Sequence, residues 1–354
     1  MAKLTEPTFK ANKIGQREDL ADLISQVDAK ETPFTSMAPK KSKPGNTFFQ
    51  WQVESLPTPR LGGILDGSDV DPNGAEVQNF TKDGSTQYRH QIGTYIQKFR
   101  RVVRVSDLTE DLNTVAGVKS ELARNVAKAV QVIKRDMEIT FCSDQNHARD
   151  EGVVGGVEKP YLTRGLGKWL SNSIGGTTTE DVPPAFLVPS ASRATGSVND
   201  LTEAKIQNVM TSIYEQTGQT RQFDALVGTA LKRAFTNLVF NTPSSGGDET
   251  RTAVRTLNRE AKESTYISNI DVFKGDFGGI RLHPSVWLKW SSGAPNPYVG
   301  YVIPFDMLDV RYGGNVAGVY ELTNNGGGEG RRIEAIAALC VHNPLAFGVL
   351  DFTA

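Results

Sequence analysis

SDLTEDLNTVAGVKSELARNVAKAVQVIKRDMEITFC, residues Ser106 to Cys142, is the stretch on which the fold turns. Leu112, Val115, Leu122, Val126, Ala129, Val130, Ile133, Met137 and Phe141 recur at three- and four-residue steps. That is the period of an apolar stripe along one face of a helix. Ser106 or Asp107 can cap its start, and Asp107 with Glu110 has capping-box spacing. Carried through to Cys142, the helix would reach roughly 50 Å at 1.5 Å per residue. Gly117 costs about 1 kcal/mol inside such a helix and marks a kink or a late start. A helix of this length should cross a whole domain.

Upstream of it, Tyr88 to Val105 is rich in β-branched and aromatic residues and reads as one long strand, with Phe48 to Val53 as a shorter one. Between them lies Asp66-Gly67-Ser68-Asp69-Val70-Asp71-Pro72-Asn73-Gly74, a dense cluster of turn formers. Residues 61–105 therefore read as an extended ribbon with an irregular tip. Residues 1–60 are a polar arm interrupted by Pro33, Pro39, Pro44, Pro57 and Pro59. A lone two-stranded ribbon is marginal in water. An arm without periodic apolar residues cannot offset its own ordering entropy. Both extensions are expected to be held by neighbouring copies, so the chain reads as one built for assembly.

Downstream, residues 152–200 have poor periodicity and many Gly, Pro, Ser and Thr, although Trp169, Leu170, Phe186 and Leu187 imply packing. A second helix carries Ile206, Val209, Met210, Ile213 and Tyr214 on one face, with Gly218 placed to end it. Asp224 to Val227 reads as a buried strand and Ala230 to Phe240 as a third helix, which implies a small α/β unit. Tyr266 to Phe273 with Gly279 to Leu282 reads as a hairpin. Ile333 to Val341 and Phe347 to Phe352 read as terminal strands.

The chain has 354 residues, 38% hydrophobic, with 34 glycines and a formal charge of −1, which allows a sizeable core in one or two domains. Near-neutral charge argues against a strongly basic nucleic-acid binder. Two cysteines, Cys142 and Cys340, in apolar surroundings read as buried free thiols in a reducing compartment. The longest apolar run, Ala335 to Val341, is too short to span a membrane. Met1 to Leu20 lacks the apolar core of a signal peptide.

Motifs that suggest chemistry fail on their surroundings. Asp69-x-Asp71-x-Asn73-Gly74 matches half of a calcium loop, but Phe80 stands at the twelfth position, where a bidentate carboxylate is needed. Asp276-Phe277-Gly278 spells the magnesium triplet of protein kinases, yet no catalytic loop or Gly-rich phosphate loop accompanies it. Gly275 to Gly279 reads better as a turn. His90, His147, His283 and His342 lack metal-ligand spacing, and no G-x-S-x-G elbow is present. Gly326-Gly327-Gly328 lacks the lysine of a phosphate loop and reads as a loop tip. No catalytic, cofactor or metal site is expected. The basic groups Lys40-Lys41-Ser42-Lys43 and Arg100, Arg101 and Arg104 read as solvated faces, or as contacts to an acidic loop of a neighbour or to packaged DNA.

The order of these elements resembles the major capsid proteins of tailed bacteriophages, the Hong Kong 97 fold of mixed α+β class. Local strings carry the resemblance: Thr32-Pro33-Phe34, Phe49-Gln50-Trp51-Gln52-Val53-Glu54-Ser55-Leu56, and Val105-Ser106 entering the long helix. Thr163-Arg164-Gly165-Leu166-Gly167-Lys168-Trp169-Leu170, and Gly275 to Gly279 leading to Trp287, complete them. The resemblance implies an N-terminal arm (1–60), an E-loop ribbon (61–105), a peripheral domain with a spine helix (106–200), an axial domain (201–297) and a return to the peripheral domain (298–354).

It also implies a shell of pentamers and hexamers enclosing double-stranded DNA, assembled in a bacterial cytoplasm, with a portal and decoration proteins as partners. Met1 at the start leads to the expectation that no scaffolding segment is cut away and that scaffolding is a separate protein. Contact candidates between subunits are Arg100, Arg101, Arg104, Asp66, Asp69, Asp71, Phe34 and Trp51. The competing readings are a nanocompartment shell, another virion part such as a tail or decoration protein, and, last, a hydrolase.

Overall fold

The computed structural model describes residues 28–41, 43–59, 61–70, 80–83, 86–111, 120–172, 182–240, 257–258, 265–266, 271–289, 294–314 and 317–354. Asp71, Gly117 and the middle of the expected strand 266–273 lie outside them. In chain order the elements that matter below are helix α1 (Pro33–Met37), strands β1 (Phe48–Glu54), β2 (Arg89–Tyr95) and β3 (Gln97–Val105), and helix α2 (Glu121–Phe141). They continue as β4 (Arg193–Ser197), α3 (Glu203–Thr217), β5 (Arg221–Val227), α4 (Thr229–Phe240), β6 (Val272–Gly275) and β7 (Gly278–Pro284). The last are β8 (Val299–Ile303), β9 (Leu308–Tyr312), β10 (Gly318–Leu322), β11 (Glu329–Val341) and β12 (Gly348–Thr353).

The long helix starts later than its apolar stripe suggests. Ser120 Oγ accepts the N–H of Ala123 at 3.1 Å, and Glu110 Oε2 accepts that of Leu122 at 3.2 Å. These two acceptors satisfy free N–H groups of the first turn, so α2 begins at Glu121. A separate single turn, Asp107–Asp111, precedes it. The expected strand 88–105 is likewise two strands. The Ile96 N–H turns to the Thr47 carbonyl at 3.0 Å, and there the chain changes partners. β2 runs antiparallel to β1, from Phe48 opposite Tyr95 to Glu54 opposite Arg89. β3 joins β11.

Contacts divide the chain into two compact units. The smaller comprises Met1–Lys30, Arg101–Val132 and Val319–Ile333. In it Gly328 has φ +101°, and a Cβ there would lie 2.0 Å from the Val105 carbonyl oxygen, so only glycine fits. Arg331 pairs with Glu321 at 3.0 Å, and Arg332 lies over the Tyr320 ring at 5.2 Å.

The larger unit holds Glu31–Arg100, Ile133–Gly318 and Glu334–Ala354. Its six-stranded sheet has the order β6-β7-β5-β8-β12-β4. β5 is central: it runs parallel to β7, with Phe223 opposite Ile280, and antiparallel to β8, with Leu226 opposite Tyr301. The expected α/β unit thus shares its strand with elements from far along the chain. Thr202 caps α3 by accepting the Lys205 N–H, and Gly218 at φ +65° ends it. Ile206, Val209, Met210 and Ile213 of α3 and Leu231 and Phe235 of α4 close over Phe223, Ala225, Ile280, Val302 and Leu350. Asp276-Phe277 is the two-residue turn between β6 and β7. Thr265–Tyr266 pairs instead with Leu257–Asn258. In the same unit β9 pairs antiparallel with the last residues of β11, and Lys40–Lys41 lies parallel along its other edge. Among the described residues no helix is long and apolar enough to cross a membrane.

Candidate assembly surfaces

The excursion between β1 and β2 carries apolar side chains that nothing among the described residues covers. Leu61, Leu56 and Leu65 are 106%, 85% and 80% exposed, and Ile64, Val70 and Phe80 are also exposed. Glycines punctuate the stretch, with Gly62 at φ +136° and Gly67 at φ +77°. Asp66 and Asp69 are exposed beside these apolar groups. Several exposed apolar side chains rimmed by charge are the usual signature of an interaction surface.

The root of this ribbon is the opposite case. Phe49 and Trp51 share one face of β1. Trp51 lies 5.6 Å from the Trp169 ring and 5.8 Å from that of His342, and Arg311 sits over Phe49 at 4.1 Å. Trp51 is therefore a half-buried brace inside its own chain. Beneath it, buried Asp309 accepts from His342 Nε2 at 2.8 Å and Arg311 Nε at 3.2 Å. Burial works against the Asp309 charge, but His342 and Arg311 outweigh it and hold the carboxyl below its usual range.

Phe34 is also placed inside the chain. It is fully buried, with the rings of Phe141 and Phe305 at 6.2 and 6.1 Å. Its side chain is enclosed within its own chain. The arm is therefore folded onto its own body from about Glu31: the Trp287 indole N–H donates to the Glu31 carbonyl at 2.7 Å.

The arginine cluster lies on β3. Arg100 Nε and Lys98 Nζ both reach Glu334 Oε1, at 2.6 and 3.0 Å, so Arg100 already has an acidic partner in its own chain. Arg101 and Arg104 are exposed on either side of Val102, itself 58% exposed.

One surface escaped the sequence reading. Gly152–Val154 and Val157–Lys159 form a hairpin around Gly155-Gly156, whose φ values are +60° and +80°. Val153, Val154 and Val157 are all exposed on it. Valines flanking Gly-Gly are a hairpin signal, and that signal was available.

The Thr163–Leu170 segment is explained by close approach. A Cβ on Gly165 would lie 2.3 Å from the Ser143 carbonyl oxygen, and one on Gly167 1.9 Å from Asp144 Oδ1. These glycines let the segment press against the end of α2. Beside it Lys289, at φ +43°, reaches Asp144 at 3.3 Å and Asp351 at 3.1 Å. Burial pulls the Lys289 pKa down, but the two carboxylates raise it overall. Among the described residues no cluster of His, Cys, Asp and Glu could hold a metal ion.

Solved structures share this architecture. A chain from the capsid of a native GTA particle has a TM-score of 0.58 at 9% identity, with 100% of both chains covered. The SrpI encapsulin of Synechococcus elongatus PCC 7942, in its holo complex, has a TM-score of 0.52 at 11% identity, covering 99% of this chain and 96% of that one. With the spine-like α2, the ribbon and the folded arm root, these likenesses define the class: a Hong Kong 97-like α+β fold.

The family is narrower. The major capsid protein of Escherichia phage Phieco32 is 33% identical over 156 residues, 40% of this chain and 40% of that protein's length. The sequence model of the SU10 major capsid protein matches residues 5–354. The chain belongs to the SU10 major capsid protein family, and so to the structural proteins of tailed-phage capsids.

Proposed function

We propose that this chain is the repeating subunit of an icosahedral phage head, assembling as pentamers and hexamers around double-stranded DNA. The observation that carries this reading is the set of exposed apolar side chains Leu56, Leu61, Ile64, Leu65, Val70 and Phe80. The ribbon (61–105) reaches a neighbouring copy, where its apolar side chains are buried and Asp66, Asp69 and Asp71 meet Arg101 and Arg104. Head-to-tail contacts of this kind close into rings. Residues 1–60 supply an arm whose outer part reaches neighbours, 106–200 and 298–354 the peripheral domain, and 201–297 the axial domain at the ring centre.

The role is structural rather than catalytic. Assembly takes place in the host bacterial cytoplasm, with a separate scaffolding protein, a portal and decoration proteins as partners. Contact with packaged DNA is weak, in keeping with a net charge of −1.

Light scattering on the purified chain over a concentration series, with electron microscopy, tests this. Megadalton closed particles are expected. A chain that stays monomeric or dimeric, alone and when co-expressed with its scaffold, overturns the reading.

A further inference from the structure

Glu138 is a fully buried carboxyl group near the end of α2. Its partners all come from the arm root. Oε1 accepts the N–H of Phe34 at 2.8 Å, Oε2 accepts that of Thr35 at 2.7 Å, and the Thr35 hydroxyl makes a short contact to Oε2. The local sequence explains why a remote carboxyl is needed. Pro33 has no N–H, and Thr32, the residue before it, makes no side-chain cap to α1. The first free donors of α1 are therefore those of Phe34 and Thr35, and Glu138 takes both.

Among the described residues no cation pairs with it. Among the described residues, the titratable groups that feel the Glu138 charge are Cys142, just past the end of α2, and Tyr312 on β9; burial first and the Glu138 charge second push both pKa values up. A buried carboxylate without a counter-ion is costly, and protonation relieves that cost. The geometry accommodates the proton. A neutral carboxyl can donate to the Thr35 oxygen while both backbone N–H bonds stay in place.

We propose that residues Glu31–Lys41 form a pH-sensitive latch, which closes on the neutral form of Glu138 more tightly than on its carboxylate. With the latch open, Glu138 meets water and titrates near its ordinary value of 4.5. With it closed, burial raises the pKa against the pull of the Thr35 and Phe34 donors. The sign follows by linkage: closure is strongest below the ordinary value, weakens as pH climbs through the raised value, and levels off above it. The latch sets how firmly the arm is rooted in its own subunit, independently of what the arm does beyond residue 30.

Hydrogen exchange on the full chain reads this directly. The protection of the Phe34 and Thr35 amides, corrected for intrinsic rates, is compared with that of Val302 in β8 at pH 5 and pH 8. The ratio is expected to fall toward pH 8; the full fall, from below the ordinary value to above the raised one, is about tenfold for each pKa unit by which closure raises Glu138, and part of it has already occurred at pH 5. In Glu138→Gln, which cannot ionise, the ratio should be equal at both pH values. Thr35→Val keeps both N–H donors but removes the hydroxyl that pulls the Glu138 pKa down, so its fall should be larger than in the parent. A parent ratio that is constant or rises, a Gln variant with the parent's fall, or a Val variant with a fall smaller than the parent's overturns the proposal.

Discussion

Replacing Leu61, Ile64 and Leu65 together by serine should separate folding from assembly. These side chains are 106%, 70% and 80% exposed in the single chain, so the change removes no contact within it. Surface substitutions of this kind stay within about 0.5 kcal/mol of the parent in unfolding free energy. In the proposed shell the same side chains would be covered by a neighbour. Burying a Leu or Ile side chain is worth about 1.5–3 kcal/mol, so losing three costs roughly 5 kcal/mol per contact at the lower bound. At about 1.4 kcal/mol per factor of ten, association weakens more than a thousandfold. Urea unfolding of the subunit measures the first quantity, and the threshold concentration for light scattering measures the second. A triple variant that closes shells at the parent's threshold refutes the ribbon contact. One that loses more than about 1.5 kcal/mol of subunit stability shows that these residues are covered within their own chain.

Four further outcomes follow from the same geometry. Phe34→Ala should destabilise the subunit itself by about 3–5 kcal/mol in urea unfolding, because it empties a site enclosed by Phe141 and Phe305. Removing residues 1–45 should lower the thermal midpoint of the subunit, since the cut strips Glu138 of its Phe34 and Thr35 donors. Reversing Arg104 to Glu, with Arg100 left in its pair with Glu334, should reduce particle yield while the unfolding midpoint stays fixed. Burial pushes the thiol pKa values of Cys142 and Cys340 well above 9.0, so a thiol reagent at pH 8 should label neither until denaturant opens the core.

Parts of this molecule were legible because their signals are local. The α2 stripe repeats every three to four residues, and the resulting buried positions Leu122, Ala129, Ile133, Met137 and Phe141 are those the period selects. Gly218 ends α3 because a left-handed residue there favours glycine. What the stripe could not supply was its own start. Ser120 and Glu110 decide that, and a serine inside an apolar stripe looks unremarkable until its hydroxyl is seen on the Ala123 N–H. Glu138 was illegible for a stronger reason: its partners are more than 100 positions away in sequence. On the helix pattern it is one more charged residue.

Phe34 and Leu61 show where sequence reading stops and why. Both are large apolar residues in proline- and glycine-broken segments, and both were expected to wait for a neighbour. One is fully buried in its own chain and the other fully exposed. Nothing within a few residues of either separates them. The difference lies in distant groups: Phe34 has the rings of Phe141 and Phe305 and two donors aimed at Glu138, and Leu61 has none of these among the described residues. Ordering a segment costs about 1–2 kcal/mol per residue in backbone entropy, so a short strap is held only where several such partners converge. They converge on residues 31–41 within the chain. For residues 56–70 the same entropy must be offset from outside it, and a second copy of this chain is the partner that a repeating shell always has at hand.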